Sequence, residues 1–484
     1  MFAAAARLGQ NSPEIPFRLL GATVIGAGIV GLAVPMIGQP WIVLVSLAAV
    51  AGFVLFVWRL ELGMWAFILA TALNRYNFEV VGWQMKIEHM VLVLVLVAWG
   101  LRFLSRQERL ERWPLVALIG AFLGLSLFAS IANSPDLYKS IRILTRMGLA
   151  VVGYVLIVNH VRDSARLWQM ARIYLAVAAG AAVYGIIAAV AWRVAGLNIG
   201  LQYNIIDRTW YPYGTLWEAN IFGAYVMSAC TASLVLLLSG QRVINRWFLS
   251  VVFTVTAVAM LLSLARASWV GFGVSAFFIV LFMGKFRFRN LGMMLAGSAL
   301  VLLVLSSVNP GGVFEDVTNR FQTLGAASQE TNVISRLTNS EVALRDWQES
   351  RWLGWGIDGF HINHPEILSA LPSPQLNALY DTGLLGAILF ATLILAFMGR
   401  AFAVALSARD SPETTLVIAL SISFLGLFVA FQATDAFWLG FTWVHLALLM
   451  AAVRIAQSKT LGGGVPMAGQ AAVPETAETA EREE

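Results

Sequence analysis

Arg266 stands in the segment Leu264-Ala265-Arg266-Ala267-Ser268, between two long apolar runs. A guanidinium in that setting is costly unless it reaches water, pairs or binds an anion. Two readings follow: an arginine snorkelling at an interface, or a clamp on a phosphate-bearing ligand, which its rigid N–H fork suits. Further along, the polar stretch Ser335–Ser350 holds Arg336 and Arg345. It spaces Leu337, Leu344 and Trp347 for one face of a helix. His361 and His364 follow three residues apart, with Glu366 nearby. They lack clear third and fourth ligands, so no metal site and no cofactor is assigned. Either histidine, or Asp358 just before them, has the chemistry of a general base, and plain loop polarity is the simpler alternative. The run Gly354-Trp355-Gly356-Ile357-Asp358-Gly359 matches G-x-G-x-x-G. A dinucleotide fingerprint needs a strand before it, whereas a helix is expected here. The run is therefore read as a tight turn, with Trp352, Trp355 and Phe360 as interfacial anchors. A second segment carries Trp210, Tyr211, Tyr213 and Trp217 immediately before Glu218 and Asn220. These rings fit an aromatic belt, or stacking on sugars with Glu218 as a base or hydroxyl-orienting group. Arg142 and Arg146 lie one helical turn apart and would add positive charge to the same region.

The elements that must hold these groups are set by composition. Of the 484 residues, 59% are hydrophobic and 12% charged, against about 25% charged in soluble domains. An ordinary soluble enzyme is excluded. The single cysteine, Cys230, excludes an intramolecular disulfide scaffold and Cys-rich metal sites. Apolar runs such as Met90–Trp99 show no strand-like alternation, so the chain reads as an all-α polytopic membrane protein with about 12–14 transmembrane helices. The candidate spans are 19–37, 41–58, 60–73, 88–106, 114–132, 142–159, 172–192, 219–240, 248–265, 267–283, 290–307, 380–400, 415–434 and 437–456. The first is read as a retained helix. Residues 1–457 form one membrane domain. Within it, 309–377 is one large extracytoplasmic loop containing short helices, and 458–484 reads as a disordered cytoplasmic tail. Arginine and lysine cluster at 102–112, 162–166, 242–246 and 285–289, on alternate connections, which places that side and both termini in the cytoplasm. The net charge of +5 is sparse and the large loop is acidic, so no nucleic-acid partner is expected.

Several segments, in order, resemble the O-antigen ligase and polysaccharide polymerase superfamily of bacterial inner-membrane proteins. Gly214-Thr215-Leu216-Trp217-Glu218-Ala219-Asn220 is similar to its Gly-Thr…Asn helix opening. Leu264-Ala265-Arg266-Ala267-Ser268 is similar to its Ser-Arg helix junction. Ser335-Arg336-Leu337, then Trp347 and Trp352-Leu353-Gly354-Trp355-Gly356, resemble its long-loop signature. Leu376-Asn377-Ala378-Leu379-Tyr380-Asp381-Thr382-Gly383-Leu384-Leu385-Gly386 resembles its closing motif. Family ligases carry a His-Asn pair about ten residues before that glycine, where this chain has Ser373 and Pro374, and this tilts the reading to the polymerase branch. The resemblance implies polymerisation of undecaprenyl-pyrophosphate-linked glycan at the periplasmic face, in exopolysaccharide or lipopolysaccharide biosynthesis, without a metal. Arg266 and Arg336 would hold the pyrophosphate. Glu218, Asp358, His361 or His364 would handle the acceptor proton. Arg142, Arg146, Trp210, Tyr211, Tyr213, Trp217, Asn220 and Arg345 would bind substrate. Membrane lipids and polysaccharide assembly proteins would be partners. A ligase transferring the glycan to lipid A-core is the alternative, and a transporter of a small anion or glycan is the alternative from a different class.

Overall fold

The computed structural model describes residue 318 and residues 40–80, 83–106, 114–204, 209–282, 331–367, 371–407 and 411–462. The candidate spans 19–37 and 290–307 and the tail lie outside them, apart from the tail's first residues, which continue the last helix. In chain order the elements begin with α1 (Pro40–Trp58), α2 (Leu60–Thr71), β1 (Asn77–Val80), β2 (Trp83–Lys86), α3 (Ile87–Leu104) and α4 (Val116–Asn133). Then come α5 (Leu137–His160), α6 (Ser164–Ala195), β3 (Leu201–Asn204), β4 (Thr209–Pro212), α7 (Ala219–Ser239), α8 (Arg246–Leu262) and α9 (Arg266–Phe282). The last are α10 (Thr331–Trp347), α11 (Gly359–Asn363), α12 (Pro374–Leu406), α13 (Pro412–Ala430) and α14 (Gly440–Gly462). Eight of these helices are long and apolar enough to cross a membrane, and four apolar helices are shorter. The protein is an all-α, multi-pass membrane protein. Two small antiparallel hairpins, β1–β2 and β3–β4, are additions that the sequence reading did not contain.

The bundle is organised around α7, whose apolar window is entirely buried. It packs against α6, α8, α9 and α13. Hydrocarbon gives little hydrophobic drive for one helix to join another, so close backbone approach and hydrogen bonds must do it. Both are present. Gly271 of α9 faces Gly426 of α13, where a Cβ on Gly271 would lie 2.5 Å from the Gly426 carbonyl oxygen. Deeper in the core, Tyr174 Oη lies 2.7 Å from Ser228 Oγ and 3.2 Å from His445 Nδ1. His445 Nε2 donates to the Leu420 carbonyl at 2.9 Å, so Nδ1 is the acceptor for Tyr174. Ser423 Oγ donates to the Ser228 carbonyl at 2.7 Å. This network ties α6, α7, α13 and α14 with uncharged partners.

The expected loop helix is α10, but its packing face is not the one its leucines mark. Leu337 and Leu344 are exposed, while Ala343 is buried with Phe360, Leu371 and Tyr380 in a small core over the end of α12. Phe360 is therefore a core ring and not an interfacial anchor. Ser373 caps α12 by accepting from Leu376 N, and Pro374 opens the helix.

Inside α12 the backbone breaks at Gly383, with φ 64° and ψ −166°. The glycine-rich turn docks on this break. Trp355 N and Gly356 N donate to the carbonyls of Tyr380 and Asp381 at 2.9 and 2.8 Å, and Leu384 N donates back to the Arg351 carbonyl at 2.8 Å. A Cβ on Gly383 would stand 2.3 Å from the Trp352 carbonyl carbon. Gly383→Ala is therefore expected to cost at least about 1–3 kcal/mol from the backbone conformation alone, plus the clash. Gly399→Ala, in the same helix with nothing within 4 Å, should leave stability unchanged or raised. Thermal unfolding of the two purified variants in detergent checks the contrast, and equal midpoints would contradict it.

Candidate functional site

The polar side chains predicted to act collect at the end of the bundle where α10 and α11 sit. The docked turn supplies the first group. Ile357 N donates to Ser130 Oγ at 3.0 Å, and Ser140 Oγ donates to the Ile357 carbonyl at 2.6 Å. Asn133 Nδ2 donates to the Gly354 carbonyl at 2.7 Å. The buried Asp381 carboxylate accepts Asp358 N at 3.2 Å and Gly359 N at 3.1 Å. Held this way, Asp358 has φ 62°, and its own carboxylate meets His361 Nδ1 at 2.9 Å and Lys139 Nζ at 3.1 Å. Burial works against ionisation of Asp358. The hydrogen bond and charge of His361 and the Lys139 ammonium outweigh it and hold the carboxyl below the usual carboxylate range. His361 is one-third exposed, and its Nδ1 is committed to Asp358. An aspartate–histidine pair of this form leaves Nε2 as the proton-accepting atom.

The second group is cationic. Arg142 and Arg146 project from α5, and the charge of Asp358 reaches Arg146. Arg146 in turn acts on Lys86, at the end of β2. Burial pushes the Lys86 ammonium below its usual range, Glu88 opposes this, and Arg146 adds to it. Lys86 Nζ donates to Asn74 Oδ1 at 2.6 Å, and Asn74 Nδ2 donates to Glu88 Oε1 at 2.7 Å. Glu88 is 4% exposed. Its Oε2 has no hydrogen-bond partner and lies against Gly440, where a Cβ would come within 2.6 Å.

The third group lines the start of α7. Glu218 Oε1 accepts Asn220 Nδ2 at 2.7 Å, and Thr434 Oγ1 donates to Glu218 at 3.3 Å. The neighbouring Asp435 accepts Asn377 Nδ2 at 2.8 Å and Phe437 N at 3.2 Å. Burial pushes the Asp435 carboxyl up to about 6, with those two bonds opposing. Arg266 opens α9 beside the same end of α7, since Ala265 and Ser268 both press on Gly223.

The remaining predicted residues lie on or beside α10, α11 and β4. Arg336 sits near the start of α10, where its carbonyl accepts Ser340 Oγ. Arg345 is exposed and lies 3.4 Å from Asp346. His364 Nε2 meets Asp346 at 2.5 Å and its Nδ1 meets Glu366 at 3.3 Å, so the two histidines serve different carboxylates. Trp210 packs on Trp192 and Tyr203 with centroids 4.5 and 5.0 Å away. The Arg75 guanidinium lies 4.8 Å from the Tyr213 ring. Tyr211 is buried, and Trp217 is exposed. Among the described residues, no group of three or more His, Cys, Asp or Glu side chains is arranged to hold a metal ion.

Lys86, Asn74, Glu88, Asn377, Asp381, Thr434 and Asp435 were absent from the sequence-derived set. The available signal was Lys86-Ile87-Glu88-His89, three ionisable residues opening an apolar span.

No protein-family model matches the chain, and no curated protein matches it. Fold and composition define the class, a multi-pass helical membrane protein.

Asp435 yields a pH prediction. Its folded pKa is raised from 3.8 to about 6, so the folded state binds the proton more tightly than the unfolded chain does. The stabilising contribution is complete below the unfolded value and is lost as pH rises through about 6. Asp435→Asn should remove that share of the slope. Melting temperatures of both proteins across this window test it; parallel curves would contradict the assignment.

Proposed function

We propose that this chain is a glycosyltransferase of the bacterial inner membrane that polymerises undecaprenyl-pyrophosphate-linked oligosaccharide repeats, with α10 and α11 on the periplasmic side. The observation that carries the reading is the placement of Arg146 within electrostatic reach of Asp358, the partner of His361, and of Arg142 and Lys86, at the end where α10 and α11 dock. The sequence resemblance and the clustering of arginine at the other end, expected to be cytoplasmic, support the same orientation.

The reaction joins an acceptor sugar hydroxyl to the anomeric carbon of the donor. The new glycosidic C–O bond forms as the bond from that carbon to the pyrophosphate breaks, and the lipid pyrophosphate leaves with the electron pair. Negative charge grows on the pyrophosphate, where Lys86, Arg142, Arg146 and Arg266 would stabilise it by charge-assisted hydrogen bonds. The hydroxyl proton passes to His361 Nε2, and Asp358 orients the ring and stabilises the imidazolium. Glu218 and Asn220, with Trp217 beside them, would position the sugar, and Arg336 would add charge from α10.

Purified protein in liposomes, given a defined lipid-pyrophosphate glycan, should lengthen it. His361→Ala should slow elongation by about 10²–10⁴-fold, the range for a positioned general base. Arg146→Gln should slow it too, and Arg266→Lys should not retain the full rate, because lysine lacks the bidentate fork. Transfer to lipid A-core alone would replace the polymerase reading with the ligase one. Donor left unconsumed with every acceptor would contradict both.

A further inference from the structure

His364 is gripped by two carboxylates. It caps the end of α11, and its ring lies against Phe360 with centroids 5.1 Å apart. Its Nε2 meets Asp346 Oδ2, near the end of α10, at 2.5 Å, and its Nδ1 meets Glu366 Oε1 at 3.3 Å. The His364 and Asp346 side chains are mostly buried, and Glu366 is exposed. A carboxylate only accepts hydrogen bonds, whereas a neutral imidazole has one N–H and one lone pair. Making both contacts at once therefore needs two protons among the three groups. A neutral ring between two ionised carboxylates supplies one. The closed arrangement holds one proton more than an arrangement with either contact open, wherever along each contact the proton sits.

The other titratable and charged groups around this contact, among the described residues, are these. Arg345 Nε lies 3.4 Å from Asp346 Oδ1, the second oxygen of that carboxylate. On α12, the charges of Asp346 and Glu349 reach Tyr380, whose hydroxyl accepts Asn363 Nδ2 at 3.0 Å. His361 serves Asp358, which also meets Lys139. A helix of five residues, as α11 is, does not hold itself and depends on what it touches. Phe360 and Asn363 fasten it to Tyr380 of α12. Among the described residues, its polar tie to α10 is His364. Asp346 is well placed for that tie, because its carbonyl also accepts Trp355 Nε1 of the docked turn at 3.1 Å.

We propose that Asp346, His364 and Glu366 form a proton-dependent clasp that holds α11 against α10. His361 shares that single turn, so the clasp also fixes where the Asp358–His361 pair stands. His364 is thus a positioning residue that acts through α11. The closed clasp carries the additional proton, so acid favours it and it opens as pH rises through the titration of the ring. The clasp depends on hydrogen bonds within this chain, and it stands whether or not His361 is the base of the proposed glycosyl transfer.

Hydrogen–deuterium exchange of the purified full-length protein in detergent reads the clasp at the amides of residues 359–367, with rates corrected for the intrinsic pH dependence of exchange. From about pH 5 to about pH 8, where histidine titrates, protection there should fall at least about threefold, the scale of a partly exposed ion pair. Glu366→Gln, a change at an exposed position, gives the sharper readout. Its amide N–H can donate to Nδ1 of a neutral ring while Nε2–H donates to Asp346, so one ring proton suffices. This variant should keep the acid-side protection across the whole range. His364→Phe keeps a ring against Phe360 without either hydrogen bond, and should show the reduced protection throughout. Equal protection of the unaltered protein across the range would overturn the proposal. So would the full pH response persisting in Glu366→Gln. The same fall in His364→Phe would overturn it too, and would assign the response to His361 and Asp358.

Discussion

The Asp381 carboxylate accepts the backbone N–H groups of Asp358 and Gly359, and the placement of the candidate site follows from that contact. A membrane helix that breaks exposes carbonyl and N–H groups that hydrocarbon cannot satisfy. At Gly383 the break in α12 is met by the turn following α10, strand-like, with donors running both ways across the seam. The turn is thereby part of the bundle and not a tethered loop. Asp358 is carried into position between Lys139 and His361, and Arg146 of α5 falls within reach of it. Without the break, α12 would have no edge for the turn to bind.

The two ends of the bundle use charge in different ways. Opposite α10 and α11, arginines sit on helix-terminal carbonyls, so their charge is matched to dipoles that every helix has. At the end where the turn docks, the carboxylates Asp381 and Asp435 receive backbone N–H groups, while Lys86 and Arg146 lie close enough to oppose one another. Glu88 and Asp358 act on the same two groups with the opposite sign. This difference between the ends motivates the proposal that places the chemistry at one of them. Between the ends, Tyr174, Ser228 and His445 satisfy one another without a formal charge.

Much of the scaffold was legible because hydrocarbon leaves so few options. The runs at 88–106, 114–132, 142–159 and 219–240 each coincide with a helix to within several residues, since an uninterrupted apolar run of that length has no other stable form. The helix containing Ser335 was also visible, from periodicity, whereas α12 begins at Pro374, ahead of the candidate span 380–400. The hairpins were not, because their strands are four residues long and pair locally over too few positions to leave a pattern. The packing face of α10 was misread because Leu337 and Leu344 are spaced for a core, yet it is Ala343, small enough for close approach, that meets Phe360 and Tyr380.

The site divides in the same way. Arg142, Arg146 and Arg266 stood out because charge is rare in this chain. His361 and His364 stood out through their spacing, but the pairing of His361 with Asp358 was not foreseen. Lys86, Asn74 and Glu88 meet through a hairpin whose geometry was not foreseen. Asp381 acquires its partners only through the break at Gly383, which the helix-forming residues around it conceal. The central claim is that this end of the bundle receives a lipid-linked pyrophosphate. Photo-crosslinking with a lipid pyrophosphate carrying a diazirine next to its phosphates, followed by peptide mapping, tests that directly. Labelling should fall on the peptides containing Lys86, Arg142–Arg146 and Asp358–His361, and an excess of unlabelled lipid pyrophosphate should compete it away. Labelling confined to the arginine-rich end around His160, or spread evenly over the lipid-facing helices, would contradict the account.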